Sequence, residues 1–435
     1  MHFSYQVSNF LKSKFLKDFS VVFIFDILAK IFTLLILLFT VRLLTPQEYA
    51  FFVKFNSLAN LLFGIFASGI GIAFVRSVSE LTSVGRASLV KNLYLLSLGF
   101  ILVILCPIFL CSQFLAEIYK LPLVLILLSL LYTLALSYLK INQFYFQGQE
   151  KYLTGGIVDL LRTAAIFFPI LIIYFFFDNL SALQVCLIYI ISGLVVWGIF
   201  FGKIFSFSMF EFNKKVFFYT KSLLKESMWL LFYCVLLAFL GQADIILLSH
   251  FSSDVEIANY GVAQKYQALA LSMLPALLAL MRVKTAKRDF ADDPEKRREF
   301  TRKWIKSTTP FVIVVIAVGA FLSRYILPLL NGTQYNAAIP LFQIMLIGVG
   351  ISYVFSPNVP ILMSAKQFPV LCILCFIALL ITVAGNYLLI PFLGAVAPSI
   401  FFVIGNAFLN ICATIFIFRD TASRTKREKS NVSMA

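Results

Sequence analysis

Long uninterrupted blocks of apolar residues recur along this chain and are separated by short polar segments. Each block is about 20 residues long or more, the length that an α-helix needs to cross about 30 Å of hydrocarbon. The blocks are continuous rather than alternating, so they predict membrane-spanning helices and not the strands of a membrane barrel. We expect an all-α integral membrane protein with about 12 spans, at residues 19–42, 50–75, 92–114, 121–146, 154–177, 182–202, 226–249, 258–281, 306–328, 338–363, 367–390 and 394–418.

The composition supports the same class. Of 435 residues, 61% are hydrophobic and only 13% are charged, with a mean hydropathy of +0.95. A soluble globular fold could not hide so much apolar side chain from water. The first block is too long for a signal peptide, and no small-residue cleavage site follows it, so we expect it to be retained as the first span.

The basic residues are distributed asymmetrically between the two predicted sides of the membrane. The net charge is +16, but Lys and Arg lie between apolar blocks, so nucleic acid is not the expected partner. They collect in the N-terminus, in the loops after spans 2, 4, 6, 8 and 10, and in the C-terminal tail, whereas the opposite side holds only Arg42, Lys120 and Arg324. By the positive-inside rule, both termini are predicted to be cytoplasmic. The largest group, from Arg282 to Lys306, is interpreted as topogenic and lipid-facing.

Several charged residues fall inside the predicted spans, where a charge costs about 3 kcal/mol even on insertion scales. Such residues are therefore candidate functional residues. The cations outnumber the acids, which predicts a cationic interior; they are Lys30, Lys54, Lys140, Arg162 and Lys265, against Asp26, Asp159 and Asp244.

The spacing of these charges predicts two pairs on single helices. Asp26 and Lys30 are four residues apart, and Asp159 and Arg162 are three apart, so each pair can neutralise itself. Two interpretations remain open: the pairs release their cations to an anionic substrate, or they are structural locks between helices. Lys140 has no acidic partner on its own helix, and we interpret it as a substrate contact.

Lys54 and Lys265 begin their spans, so they either contact substrate or reach the outer interface by snorkelling, which is the favoured interpretation. Asp244 is a candidate proton or sodium site. No metal or cofactor is predicted, because the chain has two histidines and no Gly-rich phosphate loop. Its seven cysteines, including the Cys372 and Cys375 pair, lie in apolar blocks.

A short internal sequence repeat suggests that the two halves of the chain have the same orientation in the membrane. EYAFFVK at 48–54 opens span 2, and NYGVAQK at 259–265 opens span 8. In transporters, substrate sites lie between such repeats. The predicted division is an N-terminal six-helix bundle, a cytoplasmic linker, a C-terminal six-helix bundle and a basic cytoplasmic tail, at residues 1–203, 204–225, 226–418 and 419–435.

The stretch from Phe19 to Glu80 contains RLLTPQEYA at 42–50 and a Gly-rich segment, GIGIAFVR at 69–76, at the end of the second predicted span. It resembles the polysaccharide-biosynthesis transport proteins, which are lipid-linked oligosaccharide flippases of the multidrug/oligosaccharidyl-lipid/polysaccharide exporter superfamily. Thr45 and Ala50 replace the usual glycines. Collinear motifs follow along nearly the whole chain: Asp244-Ile245-Ile246, Asn259-Tyr260-Gly261, Asn331-Gly332, Ser364-Ala365-Lys366, Asn386, Pro391 and Gly394-Ala395.

The resemblance implies two helix bundles around a central cavity that opens alternately to either side of a bacterial inner membrane. The implied activity is not enzymatic: it moves an undecaprenyl-pyrophosphate-linked glycan from the cytoplasmic to the outer leaflet for O-antigen of lipopolysaccharide, capsule or exopolysaccharide. The implied partners are that glycan, membrane lipid, and a polysaccharide polymerase with its chain-length regulator.

Two alternatives stay open. A cation-coupled multidrug antiporter would share the fold, but the net-positive interior argues against organic cations. A multi-span polymerase or acyltransferase would be expected to show a large outer loop or a His/Asp site, and the predicted outer loops are short.

Overall fold

The computed structural model describes residues 14–83, 87–176, 180–204, 214–285 and 293–432. Within these ranges all regular elements are helical, which confirms the predicted all-α class. In chain order, the first half of the α-helices is α1 Lys14–Leu43, α2 Pro46–Phe63, α3 Gly69–Ser83, α4 Ala87–Leu110, α5 Ser112–Tyr119, α6 Leu123–Gly148, α7 Tyr152–Phe176 and α8 Ala182–Ile204. The second half is α9 Lys214–Phe251, α10 Asp254–Ala270, α11 Leu274–Thr285, α12 Pro294–Asn331, α13 Ala338–Val354, α14 Asn358–Ser364, α15 Phe368–Leu393 and α16 Val396–Val432.

Two short elements of other helical types complete the sequence. A π-helical turn, Gly64–Ser68, joins α2 to α3, and a 3-10 turn, Thr333–Tyr335, follows α12. A π turn inserts an extra residue into the ladder of a helix without ending it. The second span therefore continues from α2 through the π turn into α3.

In the described part of the chain, eleven helical segments are long and apolar enough to cross a membrane. They match eleven of the twelve predicted spans. The predicted span 258–281 is interrupted instead: α10 ends at Ala270 and α11 begins at Leu274. Pro275 explains the break, because it has no amide hydrogen to bond the carbonyl of Leu271 and its ring crowds the preceding turn.

The chain folds into two compact units, Met1–Ala238 and Phe239–Ala435. In the first unit, α6 lies at the centre and contacts α2, α3, α4, α5, α7 and α8, while α1 packs along α7. Aromatic pairs support the latter contact, with ring centroids 5.2 Å apart for Phe32 and Phe167 and 4.7 Å apart for Phe39 and Tyr174. Gly71 of α3 lies directly against the ring of Phe144 of α6, and any side chain at that position would displace the ring.

In the second unit, α13 packs against α10, α12 and α16, and α15 packs along α16. The tenth span is also interrupted: α13 ends at Val354 and α14 begins at Asn358, just after Pro357. The two interruptions meet, because the hydroxyl of Tyr353 donates a 2.8 Å hydrogen bond to the carbonyl of Ala270. Irregular backbone at membrane depth requires partners of this kind, since hydrocarbon supplies none.

Three helices are much longer than a membrane is thick. α9 and α12 have 38 residues each and α16 has 37, which is about 56 Å at 1.5 Å per residue. α9 crosses the boundary between the two units. Within the predicted linker, residues 205–213 lie outside the described ranges and Lys214 already begins α9; the predicted tail 419–435 continues α16 to Val432. The predicted division into bundles, linker and tail stays a prediction.

Candidate functional site

The first predicted charge pair lies on α1. The amine of Lys30 is 4.0 Å from a carboxylate oxygen of Asp26, and both side chains are half-exposed. Exposed apolar neighbours, Ile27 and Ile31, accompany the pair on this helix. An exposed ion pair at the limit of contact distance contributes little to stability. Each charge is therefore available to another group.

The second pair, on α7, is tighter and more enclosed. Both Nε and Nη2 of Arg162 donate to Oδ1 of Asp159, at 3.1 and 3.0 Å. The hydroxyl of Tyr132 on α6 interacts electrostatically with the Arg162 guanidinium. Tyr189 of α8 packs edge-on against Tyr132, with centroids 5.6 Å apart. Both tyrosines interact electrostatically with the guanidinium. The sequence did not single them out, because nothing in their local spacing marks them.

Lys140 of α6 has a neutral partner. Its Nζ donates a 2.8 Å hydrogen bond to Oε1 of Gln143 and lies 5.4 Å from the centroid of the Phe144 ring. No carboxylate in the described ranges forms an ion pair with it. Neither an amide nor an aromatic face removes the charge of an ammonium group. Among the described residues, Lys140 therefore has no direct acidic contact that would compensate a charge on its amine.

Lys140 interacts electrostatically with both pairs. Asp26, Lys30, Lys140, Asp159 and Arg162 thus form one group within the first unit, which we call the charged cluster. Its three cations and two acids give it a net charge of +1. The structure brings together five of the eight predicted site residues, although they come from three helices and span more than 130 positions of the sequence.

The other two predicted lysines lie elsewhere. Lys54 on α2 is only 2% exposed, with its amine 5.6 Å from the Phe51 ring. The interpretation that Lys54 snorkels to the interface is therefore wrong, because snorkelling requires an exposed amine. Lys265 on α10 is half-buried and belongs to the second unit. Whether either lysine contacts substrate stays a prediction.

The segment RLLTPQEYA has a structural role at the start of α2. The hydroxyl of Thr45 accepts a hydrogen bond from the amide of Glu48, which caps α2. The carboxylate of Glu48 in turn accepts a 2.6 Å bond from the amide of Ala182 at the start of α8. Acids are favoured at helix N-termini, where amide groups lack partners within the helix. Glu48 thus joins the ends of two helices of the first unit.

Asp244 of α9 forms a separate polar centre in the second unit. It is 4% exposed. Its Oδ2 accepts a 2.6 Å bond from the hydroxyl of Tyr260, and its Oδ1 accepts a 2.7 Å bond from Nδ2 of Asn386. Both partners stand in the collinear motifs, but spacing did not reveal that they meet Asp244, since Asn386 is 142 residues away.

The amide that donates to Asp244 also carries an oxygen, Oδ1 of Asn386, which lacks a hydrogen-bond partner in the described structure. Buried polar atoms are normally paired. Together with the carboxylate of Asp244, this oxygen offers the chemistry that a proton or a hard monovalent cation requires.

Comparisons with solved structures identify proteins that share this fold. The chain is similar to a multidrug resistance MATE family transporter of the MOP superfamily in an inward-facing conformation, with a TM-score of 0.74 and 13% identity over 94% of this chain and 99% of that one. It is similar to the lipid II flippase MurJ in an inward closed conformation, with a TM-score of 0.70 and 15% identity over 93% of this chain and 90% of that one. The bent form of the Vibrio cholerae MATE transporter VcmN gives a TM-score of 0.56 and 15% identity over 93% and 98%.

At these identities the similarity concerns the fold, which is that of the multidrug exporters as the sequence predicted. No curated protein sequence is significantly similar to the chain. A family profile described as "Polysaccharide biosynthesis protein" matches residues 15–281, more than half of the chain. The matched region contains the charged cluster, Asp244 and Tyr260. The chain therefore belongs to the polysaccharide biosynthesis protein family.

Proposed function

We propose that the protein is a flippase for undecaprenyl-pyrophosphate-linked oligosaccharide. It moves this lipid-linked glycan from the cytoplasmic to the outer leaflet of the bacterial inner membrane, for O-antigen of lipopolysaccharide, capsule or exopolysaccharide. The observation that carries the proposal is the net-positive charged cluster within the membrane-spanning helices of a polysaccharide biosynthesis protein.

A pyrophosphate linked to polar sugars cannot enter hydrocarbon unaided, because its charges would lose their hydration. Fixed cations in a region reached by water lower that barrier electrostatically. Arg162 is suited to this role, since a guanidinium presents several donors in a geometry that matches phosphate oxygens. Lys140 and Lys30 add compact charges from two other helices.

The acids give the cluster a resting state. In the structure, Asp159 accepts both donors of Arg162, and Asp26 lies 4.0 Å from Lys30. We expect an arriving pyrophosphate to meet Lys140 first, because the close partners of Lys140 among the described residues, Gln143 and the Phe144 ring, are both neutral. The anion then competes with Asp26 and Asp159 for Lys30 and Arg162. Release follows when the acids recover their cations, which makes binding reversible, as alternating access requires.

Asp244 is proposed to couple transport to an ion gradient. Its carboxylate is buried between the neutral donors Tyr260 and Asn386, and no cation in the described ranges pairs with it. Such a carboxylate is stabilised by taking up a proton or a sodium ion. Three sequence-based predictions belong to the same proposal. Lys54 and Lys265 are further candidate substrate contacts, and both termini lie in the cytoplasm. The proposed partners are a polysaccharide polymerase and its chain-length regulator.

The proposal is tested by reconstituting the purified protein into vesicles with a fluorescent undecaprenyl-pyrophosphate glycan. We expect the label to become accessible to an outside quencher or glycosidase in the presence of the protein, and Lys140→Gln to slow that change at least 10-fold. Absence of translocation by well-folded wild-type protein would contradict the proposal. A reporter fused after Ala435 is expected to be cytoplasmic.

A second candidate is a cation-coupled multidrug antiporter. The buried acid Asp244 favours it, because an anionic centre suits a cationic substrate. The same vesicles distinguish the candidates: proton- or sodium-driven uptake of an organic cation dye, without glycan translocation, would support the antiporter.

A further inference from the structure

The first turns of α12 carry many cations, and they are of two kinds. Lys296 and Lys303 have nearby acidic partners: Lys296 is 3.4 Å from Asp293, the N-cap of α12, and Lys303 is 2.6 Å from Glu299. Arg302 and Lys306 are exposed and form no ion pair with any acid in the described ranges. Acidic neighbours therefore neutralise one set of cations, whereas the other set has no acidic partner in the described ranges.

Exposed cations without an acidic partner among the described residues form a row on α12. Arg298, Arg302 and Lys306 follow one another at intervals of four residues and are all exposed, so they lie on one helix face at steps of about 6 Å. Like charges at this spacing repel one another. The guanidinium of Arg298 lies 5.5 Å from the ring centroid of Phe418, a contact that leaves its charge in place. A row of this kind favours an anion from outside the chain.

Contacts on the inner side of α12 fix the direction in which the row points. Nε1 of Trp304 donates a 3.4 Å hydrogen bond to the carbonyl of Tyr353 at the end of α13. Phe300 packs near Trp304, with centroids 6.4 Å apart, and the amine of Lys284 lies 4.2 Å from the Phe300 ring centroid. These aromatic contacts hold one face of α12 against α11 and α13. The row of cations consequently remains on the outside.

The row also lies at a defined distance from hydrocarbon. Just after Lys306 the same helix exposes large apolar side chains, beginning with Phe311, which is 69% exposed, and continuing with Ile313, Val314, Val315 and Val318. An exposed apolar band on a membrane-spanning helix faces lipid tails. Lys306 is five residues before Phe311, which is about 7.5 Å along the helix. Lys306 and Arg302 therefore lie at the depth of the phospholipid headgroups.

We propose that Arg298, Arg302 and Lys306 bind the anionic headgroups of phospholipids in the surrounding bilayer. The charge of the row complements a phosphate layer, and its depth places it there. A juxtamembrane cation near an anionic membrane surface strengthens binding by a factor of about 5. This interaction is independent of the proposed glycan transport.

The experiment measures binding of phosphatidylglycerol to the purified full-length protein, by native mass spectrometry and by the lipid-induced shift of the thermal unfolding midpoint. Phosphatidylcholine serves as the neutral reference lipid. We expect wild-type protein to prefer phosphatidylglycerol, and Arg302→Gln with Lys306→Gln to weaken that binding about 25-fold. Each single variant is expected to weaken it about 5-fold, so that the effect is graded.

The matched control is Lys296→Gln with Lys303→Gln, which removes the same charge from the same helix at residues that already have acidic partners. We expect it to retain the lipid preference. An equal loss in both double variants, or no loss in either, would overturn the proposal. Stabilisation of the wild-type protein by inorganic phosphate alone would also overturn it, because the site would then recognise a soluble anion and not the bilayer.

Discussion

Lys140 donates a 2.8 Å hydrogen bond to the side-chain oxygen of Gln143, on the same helix. The other two cations of the charged cluster face carboxylates, whereas this one faces an amide. The difference between an amide and a carboxylate is one charge at nearly constant shape. That makes position 143 a direct test of whether an uncompensated cation is needed.

Gln143→Glu is expected to lower the rate of glycan translocation at least 10-fold without loss of protein from the membrane. The new carboxylate would neutralise Lys140 in place and make the cluster net neutral. Gln184→Glu makes the same change in the same unit, at an exposed residue that accepts from the amide of Ser181 at the start of α8. Unchanged translocation by Gln143→Glu, measured with quencher-accessible labelled glycan, would rule out a role for the free charge of Lys140.

The double substitution Asp26→Lys with Lys30→Asp tests the function of the first pair. It preserves neutrality but moves the cation about 6 Å along α1. We expect normal expression and reduced translocation, because the cation no longer meets the pyrophosphate. Full translocation by the well-expressed swapped protein would favour the structural lock.

Arg162→Lys is expected to lower the thermal stability of the purified protein. Lysine cannot reproduce the two bonds that Nε and Nη2 make to Asp159, and one charge-assisted bond is worth about 1.5–3 kcal/mol. Differential scanning fluorimetry in detergent measures the effect. Lys303→Arg, at an exposed ion pair, provides the comparison and should change stability by less than about 0.5 kcal/mol.

Asp244→Asn is expected to abolish the dependence of transport on an ion gradient while leaving downhill glycan exchange. The amide cannot take up a proton or offer a charge to sodium, yet it keeps the size of the side chain. Transport is measured in vesicles with imposed proton or sodium gradients. The comparison variant is Thr382→Val, which removes a buried hydroxyl on α15 that lies against Gly405 of α16. It leaves the charge and the partners of Asp244 unaltered, and it should retain the gradient dependence. An Asp244→Asn protein that still responds to the gradient would exclude Asp244 as the coupling residue.

Tyr353→Phe is expected to destabilise the second unit by about 1–3 kcal/mol, because the carbonyl of Ala270 loses its partner at a helix break. Tyr325→Phe, at an exposed tyrosine on α12, removes a hydroxyl with little expected change. Unfolding midpoints of the two variants in the same detergent provide the measurement. Equal midpoints would mean that the Tyr353 bond contributes nothing to stability.

The sequence predicted the class and most of the spans because the length of an apolar block is set by membrane thickness. It was less informative where one residue changes the outcome. Pro275 stood inside an apolar block, and hydropathy alone did not distinguish a kinked helix from an interrupted one. Lys54 was placed at a span end, but the depth of a side chain depends on packing with neighbouring helices.

The polar contacts could likewise be predicted from the sequence only in part. The pairs Asp26 with Lys30 and Asp159 with Arg162 could be predicted, because spacing on one helix fixes which side chains meet. The bonds of Asp244 to Tyr260 and Asn386 could not, because they join three helices. The charged cluster was predicted as a list of residues; its grouping required the packing of α1, α6 and α7.

The interruptions at Ala270 and Val354 have a mechanical consequence. α10 and α13 each have 17 residues, so both breaks come after the same rise of about 25 Å. Tyr353 joins the upstream sides of the breaks, and the hydroxyl of Thr285 reaches the carbonyl of Pro360 at 3.5 Å on the downstream side. The two interrupted spans are thus joined both before and after their breaks, so a change of angle at one break would have to be accompanied by a change at the other.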